Sequence, residues 1–304
     1  MKAIAYTTCL PATDPAALRD MVLPEPGAPA GRDLLIEVRA VSVNPVDAKQ
    51  RAKADPKGNP RILGFDGAGV VRAAGPDATL FQPGDAVFWA GAINRPGSNA
   101  ELQLVDERVV GPMPESLTFA EAAAMPLTSI TAWEGLFDRL RIARDTTRLD
   151  EALLIIGGAG GVGSIAIQLA AKLTGMTVIT TASRPETRDW CRDLGAHHVI
   201  DHREDMAAQV KALKRRVSRI FSTTNTAANW PVLCSILAPQ GMICAIDEGS
   251  ALDMSLLRAK SAGFHWEDMF ARTLFQTPDM EAQHRLLAEA ATLDARGLIG
   301  RAHV

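Results

Sequence analysis

The chain has 304 residues, with 32 lysines and arginines, 35 aspartates and glutamates, and a formal net charge of −3 at pH 7. That length allows two domains with separate cores, and the near-neutral balance gives no electrostatic reason to expect nucleic acid as a partner. The four cysteines show no C-x-x-C spacing and the N-terminus has no apolar run of signal-peptide length, which together predict a reduced, cytoplasmic setting.

Residues 1–125 contain short alternating polar and apolar runs separated by proline and glycine. The runs are LLIEVRAVSV, GAGVVRAAG, DAVFWAG and NAELQLV. Alternation with a period of two is typical of strands with one buried face, and the intervening turn residues favour hairpins. This part of the chain is therefore predicted to be a mostly antiparallel β domain.

Residues 126–272 follow a different pattern, in which apolar strand-like runs alternate with helical ones. The predicted strands are EALLII, MTVITTAS, HHVIDH, VSRIFSTTN and MICAIDEG. The predicted helices between them are SIAIQLAAKLTG, TRDWCRDLGA, EDMAAQVKALKR and NWPVLCSILAPQG. A repeated strand–helix alternation indicates a parallel, doubly wound sheet, so the fold class is α/β.

A glycine-rich stretch lies inside the uncharged run from Ala152 to Ala171. Glycines are costly inside a helix, so this run is not predicted to cross a membrane. The order of strand, glycine turn and helix instead gives a G-x-G-x-x-G fingerprint, which is typical of dinucleotide binding. Its residues are Gly158, Ala159, Gly160, Gly161, Val162 and Gly163. The alternative, a glycine turn without a ligand, stays open.

The end of the second predicted strand indicates which dinucleotide is bound. NAD sites usually carry an acid there, which bonds the ribose 2′-hydroxyl. This sequence has Ser183 and Arg184 instead, and a hydroxyl with a guanidinium suits a 2′-phosphate. The predicted cofactor is therefore NADPH, although Arg184 could also be an exposed loop residue.

The segments VSVNPVDAKQR, LGFDGAGVV, FQPGDAV, AAAMPLTSITAWEGL and GGAGGVG occur in this order. With them the chain resembles the medium-chain dehydrogenase/reductase superfamily. It resembles most closely the zinc-free quinone oxidoreductase branch and the proteins called zinc-type alcohol dehydrogenase-like. The resemblance implies a GroES-like β domain over 1–125, to which 273–304 returns in a shortened form. It also implies a Rossmann domain over 126–272, with NADPH between the two domains.

The residues do not support a catalytic zinc. Where zinc alcohol dehydrogenases carry Cys and His ligands, the resemblance places Asn44 and Phe65. No cysteine lies between Cys9 and Cys191, so neither a third ligand nor a four-cysteine lobe is available. Zinc requires a set of Cys, His or carboxylate ligands, so no metal site is predicted.

Hydride transfer without a metal favours an electrophile that delocalises charge onto oxygen, such as a quinone or an α,β-unsaturated carbonyl. The resemblance places Asn44 and Thr128 beside the nicotinamide, where they would bind cofactor and assist catalysis. It also places His265 near the pocket as a candidate proton donor. Asn44 could instead be a turn former, Thr128 a helix cap and His265 a core residue.

The leading hypothesis is an NADPH-dependent reductase of a small-molecule quinone or enone. Two alternatives remain, namely a metal-requiring alcohol or aldehyde oxidoreductase and a protein that binds NADPH without turnover. The expected partners include neither membrane nor nucleic acid. Dimerisation through the last Rossmann strand, which the resemblance implies, predicts a homodimer.

Overall fold

The computed structural model describes residues 1–147, 150–247 and 251–300. Its strands are β1 (Lys2–Tyr6), β2 (Arg19–Val22), β3 (Asp33–Ser42), β4 (Arg61–Ile62), β5 (Asp66–Ala74), β6 (Ala86–Trp89), β7 (Leu102–Asp106), β8 (Val110–Pro112), β9 (Glu151–Ile156), β10 (Thr177–Thr181), β11 (His198–Ile200), β12 (Arg216–Ser222), β13 (Met242–Ala245) and β14 (Gly263–Trp266). Its α-helices are α1 (Pro45–Lys53), α2 (Phe119–Ala123), α3 (Pro126–Trp133), α4 (Gly161–Leu173), α5 (Pro185–Asp193), α6 (Met206–Ala212), α7 (Thr226–Ile236), α8 (Ser255–Arg258), α9 (Ala271–Phe275) and α10 (Ala282–Ala295). A π-helical stretch, Glu134–Arg139, continues α3.

The chain divides into two compact units. The first, called the β unit, comprises Met1–Ile130 and Phe270–Gly297. The second, called the α/β unit, comprises Thr131–Met269 and, of the described C-terminal residues, 298–300. No helix in the described part of the chain combines the length and hydropathy that crossing a bilayer requires.

The β unit contains a five-stranded antiparallel sheet in the order β7-β3-β5-β6-β8 and a three-stranded sheet in the order β2-β1-β4. Alternation along β3 buries Leu34 and Ile36, which lie in a core cluster with Trp89. Helix α10 packs against β8 so closely that a Cβ on Gly111 would lie 2.5 Å from the Leu287 Cβ. The predicted antiparallel β domain is therefore confirmed.

The α/β unit contains a parallel sheet in the order β11-β10-β9-β12-β13-β14. All residues of β10, and all of β9 after Glu151, are buried, as expected for central strands with helices on both faces. The strand order reverses between β9 and β12, and ligands of doubly wound folds bind outside the carboxyl ends of the strands at this switch point. The predicted doubly wound sheet is confirmed.

Two details of this unit differ from the sequence prediction. Helix α4 begins at Gly161, inside the fingerprint, rather than at Ser164. The predicted strands end at MICAIDEG, but the sheet has a further strand, β14, in which His265 pairs in register with Cys244. The strand is short and half-exposed, so its side chains lack the continuous apolar run that identified the other strands.

Candidate cofactor and active site

The glycine turn, defined as Gly157–Gly163, follows β9 at the switch point of the parallel sheet. Gly157 has φ +82°, a left-handed conformation that glycine adopts without strain. Gly160 is the N-cap of α4, so the helix begins within the turn. The turn thus places the positive end of α4 at the edge of the sheet where ligands bind.

The fingerprint glycines lack side chains for different reasons. A Cβ on Gly158 would lie 1.9 Å from Thr180 Oγ1, and a Cβ on Gly163 would lie 2.2 Å from the Gly157 carbonyl oxygen. Both glycines are therefore required by packing inside the protein. A Cβ on Gly160 would meet only the Gly157 oxygen, at 3.5 Å, which is an ordinary contact. Packing within the described residues therefore does not require glycine at this position.

The amides at the start of α4 are available to an anion. Within the part of the chain that the structure describes, the N–H groups of Gly161, Val162 and Gly163 have no hydrogen-bond acceptor. The first turn of the helix also carries no acidic side chain. Free amides and a helix dipole without a competing carboxylate fit a diphosphate.

Two threonines fix the glycine turn, and the sequence analysis missed both. Thr181 Oγ1, at the end of β10, accepts a hydrogen bond from the Gly157 N–H at 2.9 Å. Thr223 Oγ1, just after β12, donates to the Ile156 carbonyl at 2.7 Å. In the sequence, these threonines are marked only by lying at or just after the end of a buried strand. The two strands, β10 and β12, flank β9 in the sheet.

The residues predicted to select NADPH lie in the loop between β10 and α5. Arg184 is the N-cap of α5 and its side chain is exposed, while Ser183 is half-buried. The loop also carries a second cation, because Arg203 donates from Nη2 to the Ser183 carbonyl oxygen at 3.1 Å. Arg203 is held in turn by Asp201, the two charged groups lying 2.7 Å apart. Arg184 is therefore an exposed cation of this loop, and Arg203, which could not be predicted from the sequence, lies against the loop with its charge paired to Asp201.

In the β unit, Asn44 is the N-cap of α1 and is 9% exposed. Its side-chain Nδ2 donates to Asp66 Oδ2 at 2.7 Å, and its backbone N–H donates to Asp47 Oδ2 at 2.8 Å. Asp47 also accepts from the Gly64 N–H at 3.1 Å. Asn44 is thus both a helix cap and a side chain held in one orientation by carboxylates.

Asp66 is fully buried at the start of β5 and connects Asn44 to α3. Its Oδ1 accepts a hydrogen bond from the Leu127 N–H at 2.8 Å, next to Thr128. Burial raises the pKa of Asp66 to about 8, the hydrogen bonds from Asn44 and Leu127 oppose this rise, and the nearby Asp47 adds to it. Burial also raises the pKa of Asp47. We call this group of residues, Asn44, Asp47, Asp66 and Leu127, the Asn44–Asp66 network.

Thr128 lies in the first turn of α3 and is 6% exposed. Its hydroxyl donates to the Met125 carbonyl oxygen at 3.0 Å. This bond satisfies the hydroxyl proton and leaves its oxygen lone pairs as acceptors. Thr128 follows Leu127 in the chain, so the hydrogen bond from the Leu127 amide to Asp66 links the turn that carries Thr128 to the Asn44–Asp66 network.

His265 is half-buried on β14, the outermost strand of the parallel sheet. Strands β12 and β13 separate it from β9 and the glycine turn. Its imidazole makes no side-chain hydrogen bond to any residue that the structure describes. Within the α/β unit, His265 is therefore not grouped with the predicted cofactor residues.

The two positions at which zinc dehydrogenases carry metal ligands, Asn44 and Phe65, offer no suitable ligand atoms here. Phe65 is buried and packs against Phe270, with 4.8 Å between ring centroids. The amide nitrogen of Asn44 is engaged by Asp66. Across the described ranges no group of three or more His, Cys, Asp or Glu side chains could hold an ion. The side chains present do not fit a zinc centre.

Comparison with protein families agrees with the two units. The alcohol dehydrogenase GroES-like domain matches residues 30–131, and the zinc-binding dehydrogenase domain matches residues 161–261. The zinc-type alcohol dehydrogenase-like protein of Staphylococcus aureus (strain COL) is 46% identical over 263 residues, which are 86% of this chain and 78% of that protein. The chain belongs to the medium-chain dehydrogenase/reductase superfamily. It is therefore an oxidoreductase with a GroES-like domain and a Rossmann-like parallel sheet, as predicted.

Solved structures support the same assignment. A Rhizobium etli protein assigned as a zinc-dependent alcohol dehydrogenase is 53% identical, with a TM-score of 0.95 over 99% of this chain and 88% of that one. A mycobacterial quinone oxidoreductase is 28% identical, with a TM-score of 0.82 over 98% and 90% of the two chains. Escherichia coli quinone oxidoreductase, solved with NADPH, has a TM-score of 0.80 over 98% and 89%, and at 23% identity it supports the fold alone.

Proposed function

We propose that the protein is an NADPH-dependent reductase that transfers hydride to a quinone or an α,β-unsaturated carbonyl without a metal. The observation that carries this proposal is the glycine turn, whose free amides at the start of α4 suit the cofactor diphosphate. Ser183 and Arg184 are proposed to bind the 2′-phosphate. When bound, the nicotinamide supplies the hydride, and the protein supplies orientation and electrostatics.

The choice of acceptor follows from the side chains available to it. Hydride addition to a conjugated carbonyl places negative charge on oxygen, and this oxygen requires a hydrogen-bond donor. We propose Asn44 as that donor, because Asp66 occupies only one of the two hydrogens of its amide nitrogen. Thr128 is proposed to orient the nicotinamide with its free lone pairs. His265 is kept as a candidate proton donor and given no further role. Its imidazole makes no hydrogen bond to a described residue of its own unit that would support one.

Two relatives act on conjugated carbonyl compounds by name. The 2-methylene-furan-3-one reductase of Solanum lycopersicum is 36% identical over 181 residues, or 57% of this chain and 45% of that protein. The trans-enoyl reductase of Aspergillus flavipes is 36% identical over 219 residues, or 64% and 63%. Both names describe reduction next to a carbonyl group, in agreement with the proposed substrate class.

The decisive experiment is turnover of NADPH by purified protein with 1,4-benzoquinone, a simple enone and a primary alcohol, alongside calorimetric NADPH and NADH binding and metal analysis. We expect reduction of the quinone or enone without bound zinc, and tighter binding of NADPH than of NADH. Oxidation of the alcohol only by zinc-loaded protein would instead favour an alcohol dehydrogenase. NADPH binding without any turnover would favour a non-catalytic binding protein.

We further propose a cytoplasmic homodimer paired through β14. This strand is the edge of the parallel sheet, and Trp266 on it is 47% exposed. An exposed edge strand with an aromatic side chain is suited to pairing with a second copy. The variant W266E is expected to sediment as a monomer while the wild type sediments as a dimer. A wild-type monomer at micromolar concentration would rule this assembly out.

A further inference from the structure

A buried carboxylate in the β unit joins two segments that are distant in sequence. Asp66 accepts one hydrogen bond from the Asn44 side chain, at 2.7 Å, and one from the Leu127 amide, at 2.8 Å. The first donor is at the start of α1 and the second is at the start of α3. A fully buried carboxyl group is costly, and burial has raised its pKa. The two hydrogen bonds offset only part of that cost.

The carboxylate determines which end of the Asn44 amide faces it. A side-chain amide can present either oxygen or nitrogen to a neighbour, whereas an ionised carboxylate can only accept. When ionised, Asp66 therefore selects the nitrogen, and one N–H of Asn44 is left for another acceptor. Asp47 holds the backbone N–H of Asn44 at 2.8 Å, so neither the backbone nor the amide of Asn44 is free to rotate.

The same carboxylate fixes the first turn of α3. The Leu127 N–H is at the helix start, where no preceding helical carbonyl is available to it. Its bond to Asp66 supplies that acceptor and sets the position of the turn that carries Thr128. Both residues proposed to act beside the nicotinamide are thus attached to one buried side chain.

We propose that Asp66 is a positioning residue for the reductase reaction, acting through Asn44 and the start of α3. The inference rests on the proposed function, in which Asn44 donates to the substrate oxygen. Asp66 is fully buried, so it does not touch the substrate itself. Among the described residues, Asp47 is the ionisable side chain whose charge raises the pKa of Asp66. Both carboxyl groups accept a hydrogen bond from Asn44.

A double-mutant cycle separates positioning from a purely structural role. In D66N, the new amide points its NH₂ group either at Leu127, which loses its hydrogen bond, or at Asn44, whose own amide must then turn over to present its oxygen, so one of the two attachments is lost or reversed. We expect kcat with 1,4-benzoquinone to fall about 10- to 100-fold, since small misplacement of a reacting group has effects of this size. NADPH affinity, measured by calorimetry, should not change. In the N44A background the D66N change should have little further effect.

Two further variants complete the experiment. D66E keeps an acceptor-only carboxylate and should recover part of kcat, and the cycle can be run with D66E if D66N does not fold. E107Q is the matched control, because Glu107 is a fully buried carboxyl of the same unit that accepts from the Thr79 and Leu80 amides. It should lower the thermal midpoint without lowering kcat in the folded fraction.

The inference is overturned if folded D66N turns over like the wild type, or if the D66N and N44A losses multiply in the double variant. A wild-type protein that reduces neither quinone nor enone removes the proposed function and this inference with it. An active wild type with independent Asp66 and Asn44 effects removes the inference alone. The two failures are therefore distinct.

Discussion

The glycine turn and the Asn44–Asp66 network are built in opposite ways. The turn consists of backbone, and three of its glycines, Gly157, Gly158 and Gly163, have no room for a Cβ. The network consists of buried polar side chains and the backbone amides they bind, which meet across 22 and 61 residues of sequence. The turn is proposed to bind the cofactor through backbone amides that no side chain covers, and the network is proposed to position Asn44 through buried side chains.

The two constructions differ in what a mutation can do to them. An added methyl group in the turn acts through volume, so its effect depends on what lies within a few ångströms of the new atom. A changed acid in the network acts through charge and hydrogen bonding, so its effect depends on pH and on its partners. Predictions for the two regions therefore need different measurements.

The largest expected effect is in the turn, where Gly160 and Gly163 form a matched pair. G160A adds a methyl group that meets no close protein atom, so the thermal midpoint should hold while NADPH affinity falls about 100-fold from the blocked approach of the diphosphate. G163A forces the new atom against the Gly157 carbonyl and should cost about 1–3 kcal/mol of stability. Calorimetry and thermal melts check both. Unchanged NADPH affinity in G160A would mean that no ligand approaches this glycine.

The next largest effect concerns the adenosine end of the proposed site. R184D replaces an exposed guanidinium with a carboxylate, so NADPH binding should weaken about 10- to 30-fold, as expected for loss of a charge-assisted bond, and NADH binding much less. R192D, on the same helix, is the control and should affect neither nucleotide. Equal weakening of both nucleotides by R184D would show that Arg184 does not contact the phosphate.

The network should make activity depend on pH. Both oxygens of Asp66 accept from N–H donors, which the ionised form satisfies, and the pKa of this group is raised to about 8. Quinone turnover is therefore expected to rise as pH increases from 6 through about 8, and to level off only about one pH unit above that pKa. In D66N this rise should vanish. A wild-type profile that is flat over this range, or an identical rise in D66N, would count against a role for Asp66 ionisation.

The smallest effect is on stability in the α/β unit, where Glu134 and Glu267 are both buried beside Arg139. Burial first, and then the Glu134 charge, raise the pKa of Glu267. A carboxyl whose pKa is raised on folding stabilises the protein most at low pH, and this stabilisation is lost as pH rises above its ordinary value of 4.5. Denaturant titrations should show E267Q losing less stability than wild type between pH 5 and 9, by about 1 kcal/mol or more. Parallel curves for the two proteins would contradict this.

Much of the α/β unit could be predicted from the sequence because its signals are local. Buried runs such as Leu153–Ile156 and the glycines after them specify strand, turn and helix within one short stretch. Strand β14 was missed because an edge strand is half-exposed and lacks such a run. The π-helical stretch Glu134–Arg139 was also missed, since nothing in its composition distinguishes it from an α-helix.

By itself the sequence determined the two-domain α/β organisation, the position of the dinucleotide fingerprint and the candidates Asn44 and Thr128, because these follow from periodicity, glycine spacing and a resemblance carried by short motifs. Only the tertiary structure decided that Asp66 holds Asn44, that Arg203 joins Ser183 and that His265 lies on a sheet edge. Those contacts connect residues between 20 and 61 positions apart, or depend on strand order. Hydrogen bonds of that range leave no periodic trace in a sequence, since each partner is set by how separate elements pack.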